Sequence, residues 1–389
     1  MERGTDTMKK LPAMLLAVLL AGNTFLCSCT AGNIEKDGST PEETTAIVSE
    51  TTTEATTVTA AEAATASETT KTAALTGPEK TPYKQITLDG VEEHHFISED
   101  FCFIESENCV FFLEKDIDIP GDYVNNIELV IGEIEDRLGI SCRPESYNYT
   151  ELCDMSSYFG FNPWKGWNIG SKLPVFLCVD RNEEGLIPCA CADFVVIVQY
   201  ELFSDELWNS IPGYRDNEWR RRDYIDYAEA AHEITHAITS RNCTMSSIMT
   251  EGIAEYMQRV AIDDLADISP AFATVKEKRY LYDYSVPEAV NAGNAERVFI
   301  EDYNQIEMAD RGAEYVYGRY MCEYLNEHFG SDFYLKYNNK VIEESLDYAY
   351  GNYSEELTEK YAGALKDVFG EDIFEKFGDW CVANNALQE

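Results

Sequence analysis

Histidine is nearly missing from this chain, with five in 389 residues, and acidic residues outnumber basic ones by 71 to 30. The formal charge is −41, and without residues 1–28 it is −42, from 27 basic and 69 acidic residues. A field of that sign argues against nucleic acid and anionic lipid headgroups as partners and favours neutral or cationic substrates and metal ions. No segment is apolar for long enough to span a bilayer as a helix. The paired Cys-x-x-Cys spacing of structural zinc sites is missing, which argues against a zinc ribbon or finger. No internal repeat is evident, and no motif that would grip a substrate's N-terminal amine is recognisable.

What is present changes character along the chain. Residues 1–28 read as an export signal, with Lys9 and Lys10 ahead of an apolar stretch from Leu11 to Gly22. It ends in Leu26-Cys27-Ser28-Cys29, which is similar to the bacterial lipobox. Cys29, preceded by the small Ser28, fits the acylated position better than Cys27, which follows Leu26. The acyl chains would then provide the only membrane attachment, on the outer surface of a bacterial cell. Residues 29–82 contain no aromatic side chain before Tyr83 and are dominated by Thr, Ala, Glu and Ser. Such a segment cannot offset its own ordering entropy and reads as a flexible stalk with a reach on the order of 40 Å.

Residues 83–389 carry enough Tyr, Phe, Leu and Ile for a sizeable core. Strands are expected at Phe101–Ile104, Cys109–Leu113, Pro174–Val179 and Phe194–Val198. The last can lie at a sheet edge, open to an extended peptide, or in the interior; its unbroken apolar run suits the interior. A helix opens after Pro120-Gly121 and stops at Gly139. Asp223, with Asp226 three residues on, is the expected N-cap of a helix reaching about Thr239, and Ser246 or Ser247 caps the next. Beyond Asp310 the spacing is helical, with breaks at Gly330 and Gly370. A strand-rich part (83–205) followed by a helical part (206–389) implies an α+β domain with a cleft between the two. Ten cysteines lie beyond the lipobox, and disulfides and free buried thiols are both compatible with them.

His232-Glu233-Ile234-Thr235-His236 names the chemistry. Residues i and i+4 of a helix share a face, so both imidazoles can hold one ion while Glu233 projects beside them. Glu251, on the following helix, adds a carboxylate and leaves a fourth position open, the coordination of a catalytic rather than a structural zinc. Glu255 lies one turn further on the same face and is the alternative third ligand.

These residues, with Glu251-Gly252-Ile253-Ala254-Glu255-Tyr256, resemble the gluzincin metallopeptidases, the thermolysin-like superfamily, and within it the peptidase MA-like group. The resemblance extends from about Cys109 to Trp380. It implies a zincin-like fold with Zn2+ on His232, His236 and Glu251, Glu233 as general base, and Glu255 steadying a ligand histidine through its far nitrogen. By its place in the resembling helix Tyr315 is the expected oxyanion donor, with Tyr317 as its rival. His328 and the His94-His95 pair are read as structural and surface residues. The expected activity is hydrolysis of a peptide or protein by zinc-activated water. A non-catalytic binding lipoprotein on the same fold and a zinc amidase acting on cell-wall material are the competing readings.

Overall fold

The computed structural model describes residues 86–87, 100–114, 116–145, 147, 171–179, 188–215, 221–243, 245–279, 288–301, 312–346 and 355–387. The export signal, Cys29, the stalk and His94-His95 lie outside the described residues. The fold is mixed α+β, one sheet and then mostly helices. The strands are β1 (Ile86–Thr87), β2 (Asp100–Glu105), β3 (Cys109–Glu114), β4 (Leu173–Leu177), β5 (Cys189–Cys191) and β6 (Phe194–Ile197), ordered β1-β2-β3-β4-β6-β5. β3, β4 and β6 run parallel, and the remaining pairs are antiparallel.

The strand at Phe194 is therefore interior, and the edge beyond it belongs to β5. Its apolar run has a simple cause: both faces of the sheet are covered. Phe111, Leu113, Val175, Val195 and Ile197 point into the main core with the helices. Phe112, Phe176, Val196 and Val198 point the other way, onto Trp208 and Tyr214 of two short helices, α2 (Asp205–Ser210) and α3 (Pro212–Arg215). The long helix α1 (Tyr123–Leu138) precedes them in the chain and ends, as expected, at a left-handed Gly139, φ 65°.

Helix α4 (Tyr227–Asn242) carries the His-Glu-x-x-His motif and is buried on nearly every side. Ala228, Ala230, Ala231 and Ala237 let β5, β6, α1 and α5 (Ser247–Leu265) crowd around it. Both its ends are pinned. Tyr123 Oη donates to Gln199 Oε1 (2.8 Å), whose Nε2 donates to the Asp226 carbonyl (2.8 Å). At the other end the buried Arg241 donates to the carbonyls of Ala192 (2.6 Å) and Cys142 (2.8 Å).

The N-cap differs from the sequence expectation. Asp226, not Asp223, accepts from the Ala228 amide (3.1 Å) and pairs with Arg222, whereas Asp223 is exposed and pairs with Lys278 (2.6 Å). The candidates are three residues apart, and only the burial of Tyr227 decides where the helix starts. Asp226→Ala is expected to destabilise the protein by about 1–2 kcal/mol in urea unfolding, while Asp223→Ala leaves the midpoint unchanged.

The helices α6 (Pro270–Lys278), α7 (Ala295–Glu301), α8 (Gly312–Phe329), α9 (Phe333–Glu343), α10 (Glu355–Phe369) and α11 (Ile373–Asn384) complete the described fold. Here the structure shows a repeat that the sequence reading lacked. The α8–α9 and α10–α11 hairpins share their hinges forty residues apart: Gly330 and Gly370 have φ of 91° and 113°, and Ser345 and Asn385 have φ of 52° and 54°. Asp332–Lys336 (2.7 Å) and Asp372–Lys376 (2.9 Å) ion pairs also correspond. Leu325 and Leu365, Phe329-Gly330 and Phe369-Gly370, and one ion pair are too few identities to stand out without the coordinates.

Cys109, Cys142, Cys178, Cys322 and Cys381 are buried free thiols. Burial pushes Cys142 and Cys381 up to about 12, which keeps them protonated and unreactive. No described helix is long and apolar enough to cross a membrane.

Candidate metal centre

Helices α4 and α5 bring together side chains that are 15 to 19 residues apart in sequence. His232 Nε2 and His236 Nε2 are 3.0 Å apart, with the rings edge to face. Glu251 Oε2 lies 3.5 Å from the first and 3.2 Å from the second. This buried group can hold a metal ion. Tetrahedral coordination with bonds of roughly 2.0–2.1 Å places neighbouring donors about 3.3 Å apart, so the three observed separations bracket the required triangle. Without a cation, two imidazole nitrogens this close require one ring to donate a proton to the other.

The electrostatics are those of a cation site. Burial pushes the Glu251 carboxyl up, but His236 and His232 outweigh it and hold the group well below the usual carboxylate range. Glu233 behaves oppositely: burial, with a smaller contribution from Glu251 and opposed by His232, raises it to about 7. One turn earlier, Glu229 is raised to about 8, mostly by burial and then by Glu233 and Glu201, with Arg222 opposing. The sequence reading did not single out Glu229.

Glu255 Oε1 lies 3.6 Å from His232 Nδ1, the nitrogen that faces away from Glu251, and its other oxygen accepts from Gln258 Nε2 (2.7 Å). It is thus placed behind His232 rather than among the converging donors. Tyr315 is half-buried and stacks on His232, ring centres 5.8 Å apart and 18° from parallel. Tyr317 is two residues away on the opposite side of the helix, fully buried, and donates to the Ala295 carbonyl (2.7 Å). His328 Nδ1 sits 3.0 Å from the Tyr324 carbonyl at the end of α8, a structural position.

Beside the site two helices meet backbone to backbone. Gly252, next to Glu251, meets Gly318, three residues after Tyr315, so that a Cβ built on Gly252 would be 2.3 Å from the Gly318 backbone. That contact fixes α8 against α5 and lays Tyr315 over the histidine. The signal in the sequence was two glycines inside long helices, each costing about 1 kcal/mol relative to Ala and so calling for a packing reason.

Searches against family models, curated proteins and solved structures gave no match to the chain.

Proposed function

We propose that this chain is a zinc-dependent metallopeptidase of the gluzincin type. One observation carries the reading: three donor atoms of His232, His236 and Glu251 converge at tetrahedral spacing with a buried carboxyl, Glu233, on the same helix. Two imidazoles and one carboxylate suit zinc and leave a position for water and substrate. When bound, zinc supplies a Lewis acid that polarises the scissile carbonyl and acidifies water.

The chain's own residues do the rest. Glu233, buried and with its pKa raised toward neutrality, accepts a proton from the attacking water and passes it to the leaving amine. The Glu255 carboxylate, 3.6 Å from His232 Nδ1, favours the proton on that nitrogen by its charge and so keeps the Nε2 lone pair directed inward. The Tyr315 hydroxyl is the proposed donor to the developing oxyanion. Residues 1–82 support export and attachment through Cys29, so the substrate would be an extracellular peptide or protein, neutral or basic in view of the chain's charge.

Metal analysis of the purified chain tests the ligand assignment. About one zinc per chain is expected. Glu251→Ala should abolish stoichiometric binding, whereas Glu255→Ala should weaken it by about 10–100-fold without removing the site. The reverse pattern would make Glu255 the ligand.

A further inference from the structure

Glu255 stands behind His232 and is itself held from the other side. Its Oε1 faces His232 Nδ1 at 3.6 Å, and its Oε2 accepts from the side-chain amide of Gln258, 2.7 Å away. Gln258 follows Glu255 by three residues on α5, so the helix pitch sets the two side chains on one face. Glu255 is only 8% exposed, and Gln258 is half-buried beside it. Among the described residues no Lys or Arg stands at ion-pair distance from Glu255; Arg259, one turn further on, interacts with its charge but makes no ion pair.

Acids elsewhere on the helices take a cation one turn away: Arg137 on Glu133 (3.1 Å), Lys336 on Asp332 (2.7 Å) and Lys376 on Asp372 (2.9 Å). A guanidinium or ammonium group on Glu255 would fix the carboxylate equally well, but it would offset the charge that acts on His232. A neutral amide fixes the carboxylate and leaves that charge in place. With no donor on its far oxygen, the buried carboxylate would bear an unmet desolvation cost and turn toward another donor.

We propose that Gln258 is a positioning residue for the metal centre, holding Glu255 against His232 without drawing off its charge. The proposal rests on the reading of His232, His236 and Glu251 as the metal ligands.

Zinc affinity of the purified chain, measured by competition with a chelating dye, tests it in a double-mutant cycle of Gln258→Leu with Glu255→Ala. Gln258→Leu keeps most of the side-chain volume and loses the donor. It is expected to weaken zinc binding by about threefold to tenfold in the parent, less than the roughly 10–100-fold loss on removing Glu255 itself. Once Glu255 is replaced by alanine, Gln258→Leu should have no further effect. Gln258→Lys keeps a donor but brings a charge; it should weaken binding as well, and it carries the test should Gln258→Leu fail to fold. Equal weakening by Gln258→Leu in both backgrounds would mark a general packing effect and overturn the proposal. Parental affinity in Gln258→Leu or in Gln258→Lys overturns it too, with the metal reading left standing. A parent chain that binds no zinc brings down the metal reading and the proposal together.

Discussion

Glu233→Gln is expected to lower peptide hydrolysis by roughly 10²–10⁴-fold, the range of a lost general base, while the zinc content stays at the parental level. Glutamine preserves the shape of the side chain, but it exchanges one acceptor oxygen for an NH2 donor and cannot take a proton. The donor atoms belong to His232, His236 and Glu251, so the substitution leaves the metal triangle intact. A peptide-library digest by parent and variant, with metal analysis of both, measures the two quantities together. Undiminished hydrolysis in the variant would remove Glu233 from the mechanism.

The same substitution has a pH signature in the metal-free protein. Burial raises the Glu233 carboxyl from 4.5 to about 7 in the fold, so between those values the native state binds a proton that the unfolded chain releases. That contribution is present at low pH and is lost as the pH rises from 4.5 through about 7. Urea unfolding of the parent at pH 5 and pH 8 should therefore show a loss that is smaller in Glu233→Gln. With a dication bound nearby the carboxyl titrates lower, so the acid limb of kcat/KM is expected below 7.

Gly252→Ala is expected to destabilise the protein by about 3 kcal/mol and to weaken metal binding at the same time. A Cβ there would fall 2.3 Å from both Cα and C of Gly318, and one on Gly318 would fall 2.0 Å from the Ile248 carbonyl oxygen. The obstacle is backbone on both sides, so no side chain can rotate away and the helices must part. Overpacking of this kind costs about 1–3 kcal/mol even where side chains can adjust, and it must exceed the gain of up to about 1 kcal/mol from alanine's helix propensity. The displacement moves α5, which carries Glu251, against α8, which carries Tyr315. Gly132, inside α1 with nothing within 4 Å of its Cβ position, is the control: Gly132→Ala should stabilise by about 0.5–1 kcal/mol. Thermal or urea unfolding compares the three proteins, and zinc titration reads the site. A Gly252→Ala variant as stable as Gly132→Ala would show that the helix contact is not tight.

Much of the architecture was legible because it depends on local patterns. The helix from Tyr123 stops at Gly139, where a left-handed residue is needed, and the breaks at Gly330 and Gly370 have the same cause. The strands at Cys109 and Phe194 follow from apolar runs that only a doubly covered strand can bury. Where two local signals were nearly equivalent, the sequence reading preferred one and the structure settled it, against Asp223 as the cap and in favour of an interior strand at Phe194. Asp223 and Asp226 are both capable caps, and burial of Tyr227 in the core selects the second. The apolar run of Phe194–Val198 favoured an interior strand, but the short β5 that forms the edge beyond it carries little signal in three residues.

The site divides along the same line. The sequence by itself determined that His232 and His236 share a face with Glu233 beside them, because the pitch of one helix sets that arrangement. Only the tertiary structure decided between Glu251 and Glu255, and between the positions of Tyr315 and Tyr317, because those depend on how α5 and α8 are rotated and spaced against α4. That spacing is set where Gly252 meets Gly318 at backbone distance, a contact between residues distant in the chain that helical periodicity cannot encode.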